Sequence, residues 1–327
     1  MRRLMFASPS RRSHFEIAIV GGGPAGLSAA IWCGRYLHSV ILLDSADPRN
    51  WETRKINGFL GLDGVTPAEL RKSGRRTCRE LAVELRDGVV LRAEPADDEG
   101  FLLCLEGGAR ATADRLLLAM GLRDVWPDVP GMESIYGANA HVCPDCDGYD
   151  CQGKKVVVIG NGRRAVAMAL NLTTWTRDII ISTNGRDANL DEQEYCDKLD
   201  ALNIPVLTDP IVRVCQNDQN IHCLMFANGM QLDADKVFFA IGQYPADDLG
   251  FQLGCERDDD GQIIVDAHGH TSVYHVYAAG DITPGPQLAI TAAAAGATAA
   301  LAMHKSLVPE DRKLVPRAPA TSPAISR

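Results

Sequence analysis

Two segments of this chain each join a short apolar strand to a glycine-rich turn, and they constrain its fold more than any other feature. The first is Phe15 to Val20, which runs directly into Gly21-Gly22-Gly23-Pro24-Ala25-Gly26. A predicted helix, Leu27 to Arg35, follows, and a second predicted strand, Val40 to Leu43, ends at Asp44. This succession is typical of a dinucleotide-binding fold. Its glycines would let the backbone approach a pyrophosphate at the helix N-terminus, and Asp44 would bind the ribose hydroxyls.

The second segment begins with the predicted strand Lys155 to Ile159 and continues into Gly160-Asn161-Gly162-Arg163-Arg164-Ala165. A helix, Val166 to Thr173, and a strand, Asp178 to Ser182, are predicted to follow. Further strands are predicted at 206–207, 211–214, 221–225 and 236–240. The pattern therefore predicts an α/β protein with two doubly wound, Rossmann-like nucleotide-binding domains.

The remaining segments indicate how the two units are connected. Residues 57–64 are predicted to form a glycine-rich loop, and Thr66 to Leu85 an amphipathic helix. Three apolar segments, at 89–92, 101–105 and 111–120, predict a small antiparallel layer. A strand from Val276 to Asp281 and an alanine-rich helix from about Gln287 to His304 resume the first unit. The second domain is therefore predicted to be inserted into the first.

A cysteine pair, Cys143 and Cys146, lies just ahead of the second glycine turn and is followed at once by Asp147. A C-x-x-C sequence closes a very small ring, so its disulfide opens and re-forms readily. Asp147 supplies a proton donor and acceptor beside it. We expect His141 to be a surface hydrogen-bonding residue, and because Cys151 has no fourth ligand nearby we predict no metal site.

The composition narrows the remaining classes of protein. A formal net charge of −9 argues against nucleic-acid binding, and no apolar run is long enough to span a membrane. The other cysteines stand apart from one another, as buried structural thiols do, so we expect a reducing, cytoplasmic setting. Residues 1–14 lack the apolar core of a secretory signal and are predicted to be a frayed leader. The proline-containing tail, 306–327, is predicted to be disordered.

These motifs, taken in order, resemble the low-molecular-weight thioredoxin reductases, which are flavin-dependent disulfide oxidoreductases. The likeness runs from about Phe15 to His304 and rests on GGGPAG, AMG ending at Gly121, CPDCDG, GNGRRA, AIGQYP, AAGD and the terminal alanine-rich helix. It implies an FAD-binding domain made of residues 15–118 and 245–305. Residues 119–244 would form the inserted domain, which in this family carries the cysteines and the NADPH site.

The resemblance also assigns roles to individual residues. The FAD-binding residues that we predict, including Asp44 from the first motif, are Gly21, Gly23, Gly26, Asp44, Asn57, Gly121, Gly280, Asp281 and Gln287. Cys146 would exchange electrons with the flavin, Cys143 would attack the partner disulfide, and Asp147 would handle the proton. A thioredoxin-like protein or a small disulfide is the implied partner, and family members are usually homodimers.

The second nucleotide site departs from the family pattern. Family members that use NADPH carry an arginine cluster after the second strand of this domain, where it pairs with the 2′-phosphate. Here that stretch is Ser182-Thr183-Asn184-Gly185-Arg186-Asp187. Gly160, Gly162, Arg164 and Arg186 are the candidate residues for this site. A lone charge does not easily replace a bidentate contact, so we expect NADPH use to be lost or severely weakened.

Several alternatives stay open at this point. Reduced ferredoxin or a second flavin, as a second FAD, would replace NADPH as the electron donor. Arg164 or Arg186 would instead rebuild the phosphate site in an ordinary NADPH-dependent enzyme. The stretches NGFLGLDG and TNG are similar to dithiol oxidases that act on small sulfur-containing metabolites, although Asp147 follows the reductase pattern. The alternative that is not an enzyme is a flavin-based redox sensor.

Overall fold

The computed structural model describes residues 13–50, 53–96, 100–217 and 220–314. Most of the predicted leader, and the tail beyond residue 314, lie outside these residues. The strands are β1 His14–Val20, β2 Val40–Asp44, β3 Glu84–Asp87, β4 Val90–Pro95, β5 Phe101–Leu105, β6 Arg110–Leu118, β7 Leu122–Asp124, β8 Ala140–His141, β9 Val156–Gly160, β10 Ile179–Ser182, β11 Val206–Leu207, β12 Ile211–Asn217, β13 Asn220–Phe226, β14 Gln231–Asp233, β15 Lys236–Ala240, β16 Gln243–Pro245 and β17 Val276–Ala278. The helices are α1 Pro24–Arg35, α2 Pro67–Glu80, α3 Pro144–Asp147, α4 Gly162–Leu172, α5 Gln193–Ala201, α6 Leu249–Gln252 and α7 Ala289–Leu307. None of the helices in these ranges is long and apolar enough to cross a membrane.

The larger sheet has the strand order β3-β2-β1-β6-β5-β4, and β17 also pairs with β6. Strands β3, β2, β1, β6 and β17 are parallel, whereas β4 and β5 extend the sheet in the antiparallel sense. Alternate side chains of β1 point to opposite faces of this sheet. Ile17 and Ile19 pack with the helices α1 and α7, and Ala18 and Val20 pack with the antiparallel strands and Leu249. Burial on both faces explains why the central strands are continuously apolar.

The smaller sheet is parallel, in the order β11-β10-β9-β15-β8. Val156 and Val158 pack against α4 and α5, and Val157 and Ile159 pack against a three-stranded antiparallel sheet, β12-β13-β14. The chain enters and leaves this region through β7 and β16, which pair antiparallel with each other. Both parallel sheets confirm the predicted mixed α/β class.

One predicted element is wrong in its second half. Helix α2 begins at the predicted place, where Thr66 Oγ1 accepts a hydrogen bond from Glu69 N over 3.1 Å. It ends at Glu80 rather than at Leu85, because Ala82 has a φ of 58°, which a right-handed helix does not allow. Residues 84–87 then form β3, parallel to β2. Helices α4 and α7 also begin at Gly162 and Ala289 rather than at the predicted positions.

Close packing of α1 against α7 fixes the position of both helices. Gly296 lies so near α1 that a Cβ atom there would come within 2.0 Å of the Ala25 carbonyl oxygen. Its neighbours in α7 along this face include the buried Ala292, Ala299 and Ala300. Small residues therefore let the two backbones approach, and this contact places the second turn of α7 beside the N-terminus of α1.

Candidate active site

A cavity of about 470 Å³ lies at the carboxyl ends of the parallel strands of the larger sheet. Its walls include the first glycine turn, the residues that follow β2, β6 and β17, and the start of α7. Ligands in open α/β sheets bind at this edge. Eight of the nine FAD-binding residues predicted from the sequence line the cavity: Gly21, Gly23, Asp44, Asn57, Gly121, Gly280, Asp281 and Gln287. Gly26 itself lies behind the wall, in the first turn of α1.

The first glycine turn fits the pyrophosphate of a dinucleotide. A Cβ atom on Gly21 would lie 2.2 Å from the Ala119 carbonyl oxygen, and one on Gly26 would lie 1.9 Å from that of Gly21. Gly23 is different, because its Cβ atom would meet nothing within 4 Å, although the residue lines the cavity. As the N-cap of α1, Gly23 supplies no side chain to the first-turn amides. The turn is therefore tightly packed on one side and open to an anion on the other.

Asp44 makes contacts that the sequence motif did not indicate. Its carboxylate forms ion pairs with Arg71 and, over 2.8 Å, with Arg75, both from α2. It also accepts a hydrogen bond from Ala46 N over 3.0 Å. Two guanidinium groups therefore neutralise this buried acid at the cavity wall. Its role as a ribose ligand stays a prediction.

Arg49 joins three acceptors that come from distant parts of the chain. It binds Asp124 in bidentate fashion at 2.7 and 2.6 Å, and its Nη1 lies 3.2 Å from Asp281 Oδ2 and 2.9 Å from Gln287 Oε1. Burial lowers the pKa of Arg49, but the hydrogen bond and charge of Asp124 outweigh burial, so the pKa is raised overall. Burial also raises the pKa of Asp281 despite Arg49. No signal in the sequence singled out Arg49 or Asp124.

The cysteine pair forms a disulfide that opens onto the same cavity. Cys143 and Cys146 are joined with a Cα–Cα distance of 5.3 Å, at the start of the short helix α3. Both cysteines and Asp147 line the cavity. Asn57 Nδ2 donates to the Cys146 carbonyl oxygen over 2.9 Å, which ties the loop after β2 to the disulfide.

The structure corrects the expectation that His141 lies at the surface. Its side chain is 7% exposed, because β8 pairs with β15 at the edge of the smaller sheet and Phe238 packs near the imidazole. His141 Nδ1 lies 3.3 Å from Asp147 Oδ2, and its Nε2 lies 3.1 Å from Lys236 Nζ. Lys236 is 6% exposed, and it also donates to the Ala138 carbonyl oxygen over 2.7 Å. Neither contact of His141 could be foreseen from spacing alone.

The second glycine turn is covered by the chain itself. Gly162 N donates to the Ala188 carbonyl oxygen over 2.8 Å, and Asn161 Nδ2 donates to that of Asp187 over 2.9 Å. Gly160 packs against β15, where a Cβ atom would lie 2.6 Å from the Ala240 carbonyl oxygen. The loop after β10 therefore uses the turn amide that would otherwise be available to a phosphate.

The two arginines predicted for this second site make contacts with different parts of the chain. Arg164 forms an ion pair with Asp260, a residue from the segment between α6 and β17. Arg186 is exposed, and its main chain closes a turn with Thr183, whose Oγ1 donates to the Arg186 carbonyl oxygen over 2.6 Å. Residues 160 and 162 keep their predicted place in the turn. The binding of a nucleotide by these four residues stays a prediction.

Comparisons of the sequence and of the structure with known proteins both find flavin-dependent disulfide oxidoreductases and related proteins. Residues 15–296 match the family model described as "Pyridine nucleotide-disulphide oxidoreductase". "Thioredoxin reductase tcpT" of Claviceps purpurea is 30% identical over 281 residues, which cover 81% of this chain and 86% of that protein. "NADH dehydrogenase" of Bacillus subtilis is 28% identical over 90% of this chain. The crystal structure of the putative thioredoxin reductase TrxB from Bacillus anthracis has 28% identity and a TM-score of 0.84, and covers 91% of this chain and 100% of that one.

The relatives differ in length. The matched region is 59% of the Bacillus subtilis protein and 47% of the "Probable thioredoxin reductase" of Arthroderma benhamiae. The chain therefore spans about half to three fifths of the length of several curated relatives that it matches. Activities that belong to those whole proteins are not carried over from the match itself.

Proposed function

The chain belongs to the pyridine nucleotide-disulphide oxidoreductase family, as an FAD-dependent enzyme similar to thioredoxin reductases, and we propose that it passes electrons between FAD and the Cys143–Cys146 disulfide. The outward partner is a thioredoxin-like protein or another small dithiol or disulfide. FAD supplies the exchange of an electron pair with the disulfide when it is bound in the cavity. The observation that carries this proposal is that Cys143, Cys146 and the first glycine turn line one cavity.

The residues around the cavity suggest a division of labour. Cys146 is the cysteine that exchanges electrons with the flavin, Cys143 attacks the partner, and Asp147 gives and takes the proton. The N-terminus of α7, which follows Gln287, favours the negative charge that accumulates at the flavin on reduction. Because the disulfide faces the cavity here, reaction with a protein partner requires a second arrangement in which Cys143 is outside.

The electron donor is proposed to be something other than NADPH. In support, Gly162 N is already bonded to the Ala188 carbonyl oxygen, and Arg164 is paired with Asp260. An isolated exposed arginine, Arg186, does not reproduce a bidentate grip on a 2′-phosphate. Reduced ferredoxin or a second bound flavin would take the place of NADPH. Family members usually use a pyridine nucleotide, so the donor is the part of the proposal to test first.

The donor can be tested by anaerobic titration of the purified yellow protein with NADPH while the visible absorbance of the flavin is followed. Dithionite serves as the positive control. Bleaching by dithionite but not by stoichiometric NADPH supports the proposal, and the same titration with reduced ferredoxin then identifies the donor. Rapid bleaching by NADPH contradicts it and indicates a rebuilt phosphate site.

The organisation of the chain is proposed as well. Residues 15–118 and 245–305 would form the FAD-binding domain, with residues 119–244 inserted, and two chains would assemble as a cytoplasmic homodimer. The support is the resemblance to low-molecular-weight thioredoxin reductases. Light scattering after size-exclusion chromatography tests the dimer, with a single-chain mass of 35.3 kDa as the contradicting result.

A further inference from the structure

We propose that His141 and Lys236 are positioning residues that hold Asp147 for proton transfer to and from the Cys143–Cys146 pair. This inference rests on the proposed function, because it concerns the proton that Asp147 exchanges with the cysteines. It adds two residues, from β8 and β15, to a site that the sequence placed in the C-x-x-C segment alone. The three side chains form a continuous chain of contacts behind the disulfide.

The contacts fix the hydrogen positions on the imidazole. Lys236 Nζ donates to the Ala138 carbonyl oxygen at 2.7 Å and lies 3.1 Å from His141 Nε2. An ammonium group has donors and no acceptor, so Nε2 of a neutral imidazole must accept from it. The imidazole hydrogen is therefore on Nδ1, which lies 3.3 Å from Asp147 Oδ2. Lys236 thus sets the tautomer of His141, and His141 in turn donates toward one oxygen of Asp147.

Because these three side chains are buried, the contacts between them are stronger than the same contacts would be at the protein surface. The side chains of His141 and Asp147 are 7% and 15% exposed, and Lys236 is 6% exposed. Few water molecules can therefore replace the three partners, and electrostatic interactions are stronger than in solvent. Oδ2 of Asp147 is engaged by His141, while the residue also lines the cavity beside the cysteines.

The surroundings of Lys236 favour the release of a proton from its ammonium group. Burial lowers its pKa, and the nearby charge of Lys154 lowers it further. Cys151, Asp150 and Asp147 act in the opposite direction but do not outweigh burial. Asp150 is itself paired with Lys55 over 2.8 Å. Asp147 is therefore the acid at the end of the contacts that run from Lys236 through His141.

The proton transfer balances with the electron transfer. When the disulfide accepts an electron pair, the S–S bond breaks and two thiolates are left. The Asp147 carboxylate takes the Nδ1 hydrogen of His141 and passes it to one of these thiolates, while Nε2 of His141 takes a proton from Lys236. The reduced pair then holds one thiol and one thiolate, and Lys236 is neutral until it takes a proton from solvent. Oxidation of the pair reverses each step.

The test measures the thiols and not turnover. The FAD-loaded protein is reduced with dithiothreitol, and the rate of alkylation of Cys143 and Cys146 by iodoacetamide is followed by mass spectrometry from pH 5 to 10. We expect His141→Gln and Lys236→Met each to move the pH midpoint of alkylation upward by at least about half a pH unit, or about threefold in rate at fixed pH, because each leaves the Asp147 charge less compensated. Asp147→Asn should move it downward. Lys198→Met, at an exposed lysine paired with Glu194, should leave it unchanged.

A double-mutant cycle separates positioning from a purely structural role. In an Asp147→Asn background, His141→Gln and Lys236→Met should have no further effect, because both act through Asp147. Circular dichroism and FAD content check the fold, and Lys236→Gln replaces Lys236→Met with the same expected shift if that variant does not fold. If Asp147→Asn moves the midpoint but either single variant does not, or if their effects persist without Asp147, the inference is wrong while the proposed function stands. If Asp147→Asn has no effect, the proposed role of Asp147 fails instead.

Discussion

The side-chain amide of Asn57 donates to the main-chain carbonyl oxygen of Cys146 over 2.9 Å. This single hydrogen bond connects the loop after β2 to the helix that carries the disulfide. Cys143 and Cys146 therefore face the cavity that also holds the first glycine turn. A similar connection is made nearby by Lys55 and Asp150, at 2.8 Å. These contacts favour the cavity-facing position of the disulfide over one that a protein partner could reach.

Removing the Asn57 amide should make the cysteines easier to reach from outside. A hydrogen bond of this kind contributes about 0.5–1.5 kcal/mol, so Asn57→Ala should raise the rate at which reduced Cys143 reacts with a bulky maleimide by about two- to tenfold. The control is Asn228→Ala, which removes an amide whose oxygen accepts from Met230 N in a turn. Equal rates in the wild type and in Asn57→Ala would mean that this contact does not hold the disulfide.

Two glycines of the same turn should respond to alanine in different ways. Gly23→Ala adds a methyl group that meets no protein atom within 4 Å, so the apoprotein should fold with an unchanged melting temperature. The methyl group would extend into the space for the pyrophosphate, so FAD affinity should fall at least about tenfold. Gly26→Ala would place Cβ 1.9 Å from the Gly21 carbonyl oxygen and should reduce stability itself. Calorimetry and FAD titration measure the stability and FAD affinity of both variants. If Gly23→Ala bound FAD as tightly as the wild type, the pyrophosphate would not lie beside Gly23.

Arg49→Met should destabilise the wall of the cavity proposed to bind FAD. It leaves the buried Asp124, and Asp281 beside it, without their shared cation, and breaking a buried ion pair costs about 3–5 kcal/mol. Urea unfolding should show a loss of about 3 kcal/mol together with weaker FAD retention. Arg123→Met removes an arginine whose pair with Asp47 is exposed and should cost less than about 1 kcal/mol. A loss no greater for Arg49 than for Arg123 would contradict the role given to Arg49.

Asp247 should make stability depend on pH. Burial raises the pKa of this cavity-lining acid from its ordinary value of 3.8 to about 6. The folded protein thus holds a proton that the unfolded chain releases, and this stabilisation is complete below pH 3.8 and is lost as the pH rises through 6. Asp247→Asn keeps the acceptor for Leu249 N and should remove this decline, by no more than about 2 kcal/mol because the side chain is partly exposed. Thermal unfolding from pH 4 to 7 measures it, with the exposed Asp197→Asn as control.

The sequence was sufficient to predict the elements whose residues are adjacent in the chain. The apolar strands β1 and β9 and their glycine turns are continuous in sequence, so they could be predicted from periodicity and glycine spacing. The end of α2 could not, because residues 81–85 fit a helical repeat, whereas in the fold residues 84–87 pair with β2 as a strand. The partners of Arg49 are 75 to 238 residues away, and those contacts exist only in the folded chain.

The same limit applies to the site chemistry. The C-x-x-C pair and Asp147 are adjacent in sequence, whereas Lys236 reaches His141 because β15 pairs with β8. The missing arginine cluster was visible in the sequence and raised the question of the donor. The hydrogen bond from Gly162 N to the loop after β10 could not be predicted, because a contact between main-chain atoms does not depend on which side chains are present.

The most direct test of electron exchange between FAD and the disulfide is a count of electrons. Anaerobic titration with dithionite is followed by flavin absorbance and by the free thiols trapped at each point. The wild-type protein should take up about four electrons per chain, two for FAD and two for Cys143–Cys146, and Cys146→Ser should take up about two. Full reduction of the wild type by about two electrons, with Cys143 and Cys146 still joined, would show that the flavin and the disulfide do not exchange electrons.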